Sequence, residues 1–410
     1  MTDASHPSRR DFLTTSAKLA GIAGLASAAG CAETGTLARF EIQAGPTPKR
    51  FTPHERIRVG LIGVGSRGQQ DLKPTLERKD VEIVAIADPH DRHRNQTAAS
   101  VKEKLNQEPE LYSGEEDWKR LLERDDVDAV QLATYPVQHA EMYLGCFAAG
   151  KHFYGEKPMC VSVAEADALV AAQKKNPDLI AQIGFQRRAN PRYQDGIQRV
   201  HDGEIGDLFT AYAAWNLAAG DEPLGLPKQG TRVWFGRREM SGDWMIEQAC
   251  HTWDVLNWVA GKLPLAASGI GQRNMFDYLD PKRDVTDMYL AHLHYPDDWL
   301  IDYSHNWLSP RKDGGRVSGV YERVCGMKGA ACLDEGKIFW RDPKRDPVQL
   351  PGKAGEPTMT FNSVNAFYEA LHANRKPVST VENGRLATLV GLLVRKAVDD
   401  RRKVKMTEIM

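Results

Sequence analysis

The chain has 410 residues, too many for one ordinary domain and enough to bury a sizeable core without disulfides. With 41% hydrophobic residues, 27% charged residues and a formal net charge of −1, its composition is that of a globular protein. The charge balance argues against nucleic-acid or acidic-membrane binding as the main task, since both usually leave a strong basic excess. The six cysteines, at 31, 146, 160, 250, 325 and 332, form no C-x-x-C and no clustered His/Cys spacing, so neither a metal site nor a disulfide scaffold is expected. Cys325 and Cys332 flank "GMKGAA" and are read as two buried free thiols, with a bridge across a hairpin as the alternative.

Residues 1–31 read as an export signal rather than as part of the fold. Arg9-Arg10 is followed by Asp11, Phe12 and Leu13, then by an Ala/Gly-rich run of modest apolarity. A paired arginine ahead of Phe-Leu selects the twin-arginine class. The twin-arginine export machinery is thus an expected partner, and a periplasmic or cell-envelope location is expected. "AAGC" at 28–31 resembles a lipoprotein cleavage site, with Cys31 as the lipid-anchored residue, although Ala28 stands where Leu is usual. Residues 32–55 show no apolar period and read as a linker or arm. No later stretch is long and apolar enough to span a membrane.

A Rossmann domain is expected over 56–178. "RIRVGLIGVG" is a β-branched run that ends in glycines, which marks a buried parallel strand. Gly63, Gly65 and Gly68 then match G-x-G-x-x-G. The first allows the tight turn, the second lets the backbone approach a pyrophosphate, and the third lets the helix pack on the strand. Ser66 and Arg67 complete this turn as candidate cofactor contacts, with the pyrophosphate at the helix N-terminus. Pro74 is expected to kink that helix or shorten its start. The next strand, "VEIVAIAD", ends in Asp88, whose carboxylate can bind both ribose hydroxyls and would repel a 2′-phosphate, so NAD is expected over NADP. "DVDAVQLAT", the helix "PVQHAEMYLGCFAAG" and "KHFYGEKP" continue the alternation. They put Thr134, His139, Glu156 and Lys157 at carboxyl strand ends, where such sheets bind ligands.

"GEKPM" at 155–159, added to the glycine fingerprint, resembles the Gfo/Idh/MocA oxidoreductases, the glucose–fructose oxidoreductase and inositol dehydrogenase family, from about Arg56 to Val404. The resemblance implies an α/β fold in which the Rossmann domain is followed by a C-terminal α/β domain, here 179–410, on an open, mostly antiparallel sheet. In the family that sheet is often used in oligomer contacts, so a homo-oligomer is expected. It also implies a cis Lys157–Pro158 bond and a lysine that reaches nicotinamide and substrate. A partly desolvated lysine there is expected to have a lowered pKa and to join a proton relay.

"SGDWMIEQACHTWDVLNWVAG" (241–261) reads as one helix on which Glu247, His251, Asp254 and Trp258 form a single polar stripe. It resembles the family's second signature, D-x-G-x-H-x-x-D, with Glu247 for the first Asp and Ala249 for the Gly. His251 is the candidate general base, and Glu247 or Asp254 is expected to orient it. "QRRANPRY" resembles a form seen in exported members and offers Arg187, Arg188 and Tyr193. Arg187, Tyr193 and Trp234 are the expected substrate contacts, alongside Trp215, Asn216, His305, Asn306 and Trp307 as a sugar-binding surface. "VCGMKGAACL" reads as a β-hairpin, and the last 40 residues as two helices closing the second domain.

The expected function is NAD-dependent oxidation or reduction of a sugar, glycoside or cyclitol hydroxyl, with His251 or Lys157 taking the proton. One alternative is a glycosidase or lyase using transient C3 oxidation and elimination. Another is a sugar-binding protein without catalysis. An exported enzyme meets no free NAD pool, so a tightly held, internally recycled cofactor is expected.

Overall fold

The computed structural model describes residues 42, 44–52, 55–217, 233–278, 280–310, 317–353, 355 and 357–410. The export signal, the Cys31 anchor and the first part of the 32–55 arm lie outside the described residues.

Six strands build the first sheet: β1 (Ile57–Ile62), β2 (Val81–Ala87), β3 (Glu110–Tyr112), β4 (Ala129–Leu132), β5 (His152–Gly155) and β6 (Ala181–Ile183). Their order is 3-2-1-4-5-6 and every pairing is parallel, the doubly wound arrangement with its crevice where the order reverses between β1 and β4. Helices α1 (Ser66–Leu76), α2 (Asp91–Leu105), α3 (Trp118–Leu122), α4 (Pro136–Ala148) and α5 (Val163–Lys175) connect them. Pro74 falls in the last turn of α1, where the helix is ending anyway, so neither its start nor its middle is disturbed. The sheet runs past the expected boundary at 178, because β6 pairs with β5 over Phe153–Gly155.

A 3₁₀ turn at Gln186–Ala189 and helix α6 (Pro191–His201) lead into the second sheet. Its strands are β7 (Leu208–Asn216), β8 (Ala266–Gln272), β9 (Met288–His294), β10 (Leu300–Asn306), β11 (Gly319–Gly326), β12 (Gly329–Cys332), β13 (Lys337–Trp340), β14 (Val348–Gln349) and β15 (Val404–Lys405). They lie in the order 14-13-12-11-7-10-9-8-15. All neighbours are antiparallel except β7 and β10. The hairpin expected at "VCGMKGAACL" is β11–β12, and Cys325 and Cys332 are free, opposite Ala330 and Arg323. Alternation sends Tyr289, Ala291, Tyr303 and Val324 inward and leaves Tyr212, Leu290 and Leu300 exposed on the outer face.

The single helix expected at 241–261 is three pieces: α7 (Arg238–Ser241), α8 (Trp244–Glu247) and α9 (Cys250–Ala260). Asp243 breaks it. Its buried carboxylate accepts from Arg238, from Thr286 and from the Trp244 N–H, and its backbone is held at φ +83°. A second break follows at Gln248–Ala249, where the Ala249 N–H turns to Trp244 O and Glu247 O accepts from Lys157, so the uniform 100° stripe does not extend from Glu247 to Trp258.

The chain ends with α10 (Thr358–Ala373) and α11 (Val381–Asp400). Of these, α11 packs on α9, β8 and α5, while α10 packs against α1. Val364, Phe367 and Leu371 share a buried cluster with Ile57, Val59 and Leu72, so α10 completes the first domain rather than closing the second. The arm is docked at the opposite end from the strand carboxyl ends. The Gly45 N–H donates to Asn176 at the end of α5, Lys49 O meets His152 Nε2 at the start of β5, and Phe51 O accepts from Asn374 at the end of α10.

Candidate active site

The glycine turn is shaped for a dinucleotide. Gly63 has φ +75°, and a Cβ there would lie 2.6 Å from Ala133 O. A Cβ on Gly68 would lie 2.3 Å from Gly63 O, so α1 packs directly on the turn. A Cβ on Gly65 would meet only the His93 ring, at 3.6 Å. Gly65 caps α1 without a side-chain hydrogen bond, and no acidic residue stands in the first turn, with Ser66 exposed there. A helix start with open space over Gly65 and no competing carboxylate suits a pyrophosphate. Asp88 lies beside it, with Oδ2 accepting from the Val64 N–H and Oδ1 from the His90 N–H, each at 2.8 Å. Each carboxylate oxygen keeps acceptor capacity for a ribose hydroxyl. These residues fit NAD.

Lys157 follows β5 and precedes the cis Lys157–Pro158 bond. Its Nζ donates to Glu247 O at 2.9 Å and to Glu247 Oε1 at 2.5 Å. Burial alone would lower its pKa, but the Glu247 carboxylate, with Cys250 and Glu156, outweighs burial and raises it. The expected lowered lysine pKa is therefore corrected: the acid on α8 keeps the ammonium protonated. His251 is the reverse. Burial holds it well below the usual histidine range, helped by the charges of Arg187, Lys157 and Arg67. Its ring stacks on Trp215 at 5.7 Å and 10°, and its Nδ1 is buried without a partner. Glu247 Oε2 is likewise buried and unpartnered. Unpartnered buried polar atoms are costly, about 1–3 kcal/mol each, and two together at a strand-end cleft mark a place for a polar ligand.

Other expected site residues fall elsewhere. Both oxygens of Asp254 accept from Arg188 Nε, at 2.9 and 2.8 Å, so Asp254 ties the Gln186–Ala189 turn to α9 instead of orienting His251. His139 has its ring nitrogens on Pro158 O (2.6 Å) and Thr134 O (3.2 Å), and it braces the lysine turn from behind rather than facing cofactor. Tyr193 is also committed, donating to Glu322 Oε2 at 2.9 Å and accepting from Arg187 Nε at 3.3 Å. Arg187 pairs with Glu322 as well, at 3.4 Å, so both residues are tied into a buried network with Glu322. Arg67 is held by Glu156 at 2.9 Å, by Thr360 and by Gln186, a latch rather than a phosphate ligand. Thr134 sits against Gly63, its Oγ1 turned to Met142 Sδ. Trp234 is half-buried, stacked on Phe235 at 4.1 Å and tilted against Tyr135 at 5.5 Å. His305 and Trp307 share Gln248 Oε1, and Asn306 donates to Asn216.

Glu322, Tyr135 and Gln248 were not singled out from the sequence. Glu322 carried a signal: it alternates with Val320 and Val324, and a carboxylate on the apolar face of a strand needs a buried cation. Among the described residues no group of His, Cys, Asp and Glu is arranged to hold a metal.

Residues 57–185 match a family model described as "Oxidoreductase family, NAD-binding Rossmann fold", and 193–331 match the C-terminal domain of the same family. The myo-inositol 2-dehydrogenase of Thermotoga maritima is 22% identical over 86% of this chain and 100% of its own length. A glycosyl hydrolase family 109 protein of Saccharopolyspora erythraea is 35% identical, over 51% of this chain and 45% of its own. In fold, the Lactobacillus casei scyllo-inositol dehydrogenase solved with NAD(H) and scyllo-inositol matches with a TM-score of 0.68 at 20% identity, over 86% of this chain and all of that one. On both domain models, and on the glycine turn and lysine turn that they span, the chain belongs to the Gfo/Idh/MocA oxidoreductase family.

Proposed function

We propose that the protein oxidises or reduces a hydroxyl of a sugar, glycoside or cyclitol, with tightly held NAD(H) recycled in place. The carrying observation is an arrangement of polar atoms: Lys157 Nζ is held on Glu247, and His251 Nδ1 and Glu247 Oε2 are buried without partners. The glycine turn and Asp88 would hold the dinucleotide, whose nicotinamide would supply a hydride acceptor for the carbinol carbon. His251 accepts the hydroxyl proton on its imidazole ring. Lys157 uses two of its three N–H groups on Glu247, and the third steadies the oxygen as negative charge develops. Glu247 Oε2 accepts from a neighbouring substrate hydroxyl, and the Tyr135–Trp234–Phe235 cluster offers an apolar platform to the ring.

The myo-inositol 2-dehydrogenase relative supports a cyclitol or sugar. The glycosyl hydrolase relative supports a second reading, in which oxidation is transient and a glycosidic bond is cleaved without net redox change. Arg9-Arg10 supports export, and with it a cofactor loaded before the protein leaves the cytoplasm. The exposed apolar residues on the outer face of the second sheet support self-association.

The test supplies NAD with myo-inositol, scyllo-inositol and common aldoses, then nitrophenyl glycosides, while reduced-nicotinamide absorbance and nitrophenol are followed. Stoichiometric reduction supports the first reading. Nitrophenol release without net reduction supports the second, and silence in both arms with sugar still bound refutes catalysis.

A further inference from the structure

Three cations act on the His251 ring from three elements, and each has its own carboxylate. Lys157 of the turn after β5 pairs with Glu247 of α8. Arg67 of α1 pairs with Glu156. Arg187 of the 3₁₀ turn pairs with Glu322 of β11 at 3.4 Å. The first two pairs lie in the motif turns. The third lies behind them, with side chains 4% and 0% exposed, and touches no part of the glycine or lysine turns.

Two routes lead from this third pair to His251. In the first, Arg187 lies over the Trp215 ring at 5.5 Å, and His251 stacks on Trp215 at 5.7 Å and nearly parallel. Guanidinium and imidazole thus share the one indole as a neighbour. In the second, Thr252, the residue after His251 on α9, donates its hydroxyl to Glu322 Oε1 at 3.1 Å. The Tyr193 hydroxyl closes the network by donating to Glu322 and accepting from Arg187. The network thus joins the 3₁₀ turn, α6, β11 and α9 next to His251.

We propose that the buried Arg187–Glu322 pair is a positioning element for His251, fixing the imidazole through Trp215 and Thr252 and setting the field in which it takes a proton. A buried ion pair replaceable by apolar residues contributes little net stability, so its place here needs another reason. Supplying a cation that lies against Trp215, the ring on which His251 stacks, is such a reason. The inference rests on the reading of His251 as proton acceptor, yet its test does not need turnover.

The full chain is labelled at the histidine ring carbons, and His251 is assigned by loss of its resonance in His251→Gln. Its titration is then followed in wild type, Glu322→Gln and Arg187→Met/Glu322→Gln, with near-UV circular dichroism as the check on folding. Glu322→Gln leaves the Arg187 charge uncompensated and moves the His251 midpoint to lower pH. The double variant removes the cation and moves it upward, by roughly half to one pH unit for one charge at this range. Should the double variant not fold, Arg187→Gln also moves the midpoint upward, and by more, because the Glu322 carboxylate is then left without its cation. Folded variants that titrate together with wild type overturn the proposal. A moved titration in a protein whose turnover is indifferent to His251 overturns the catalytic reading and leaves this one standing.

Discussion

Restoring the family's Asp at position 247 is expected to damage this enzyme. The Lys157 Nζ lies 2.5 Å from Glu247 Oε1. Glu247→Asp withdraws the carboxylate by one carbon–carbon bond, roughly 1.5 Å, which leaves about 4 Å, beyond hydrogen-bond range. A charge-assisted hydrogen bond contributes about 1.5–3 kcal/mol. If Lys157 must be held in place to meet the reacting oxygen, kcat/KM falls roughly ten- to hundred-and-fifty-fold. Glu247→Gln keeps the reach and removes the charge. In wild type the raised lysine pKa makes its contribution complete below 10.5, and it is lost only as pH climbs through the folded value. Without the carboxylate, burial prevails and that loss begins at lower pH. The assay is the pH profile of kcat/KM for both variants on the substrate that wild type turns over. Full activity in Glu247→Asp, or an unchanged alkaline limb in Glu247→Gln, would show that Lys157 does not depend on this contact.

His251→Asn removes the proton acceptor and should lower kcat by about 10²–10⁴-fold, with stopped-flow traces showing whether the hydride step is the one slowed. Because His251 is held well below 6.5, wild-type kcat/KM should stay level through pH 6.5 and drop only well under it; a midpoint at the ordinary histidine value contradicts the burial. Asp88→Ser removes the carboxylate beside the ribose site and should weaken NAD while admitting NADP, as fluorescence titration with each dinucleotide would reveal. Leu290→Glu on the outer sheet face should lower the mass found by light scattering if that face joins copies of the chain, and leave it unchanged otherwise.

Much of the first domain was legible because its signals are local. Glycines at 63, 65 and 68, apolar runs of strand length, and Asp88 at a strand end each depend on a few neighbouring residues. Lys157 and His251 were legible through motifs for the same reason. What escaped depends on pairing across long separations. Asp254 looked like a partner for His251 until Arg188, 66 residues earlier, took both its oxygens. The broken helix at 241–261 has a helical sequence, and distant partners override it: Arg238 and Thr286 at the buried Asp243, and Lys157 at the Glu247 carbonyl. The docking of α10 on β1 and α1 could not be read from its own periodicity, which says that one face is buried but not against what.

The docked arm fixes which way the enzyme looks. Its contacts with Asn176, His152 and Asn374 hold it at the amino ends of the strands, while Gly63, Asp88 and Glu156 open at the carboxyl ends. Anything fastened ahead of Ile42 would therefore pull from the back of the first domain. A bulky group attached there would crowd the amino ends of the strands and leave the carboxyl ends, with Gly63 and Asp88, unobstructed.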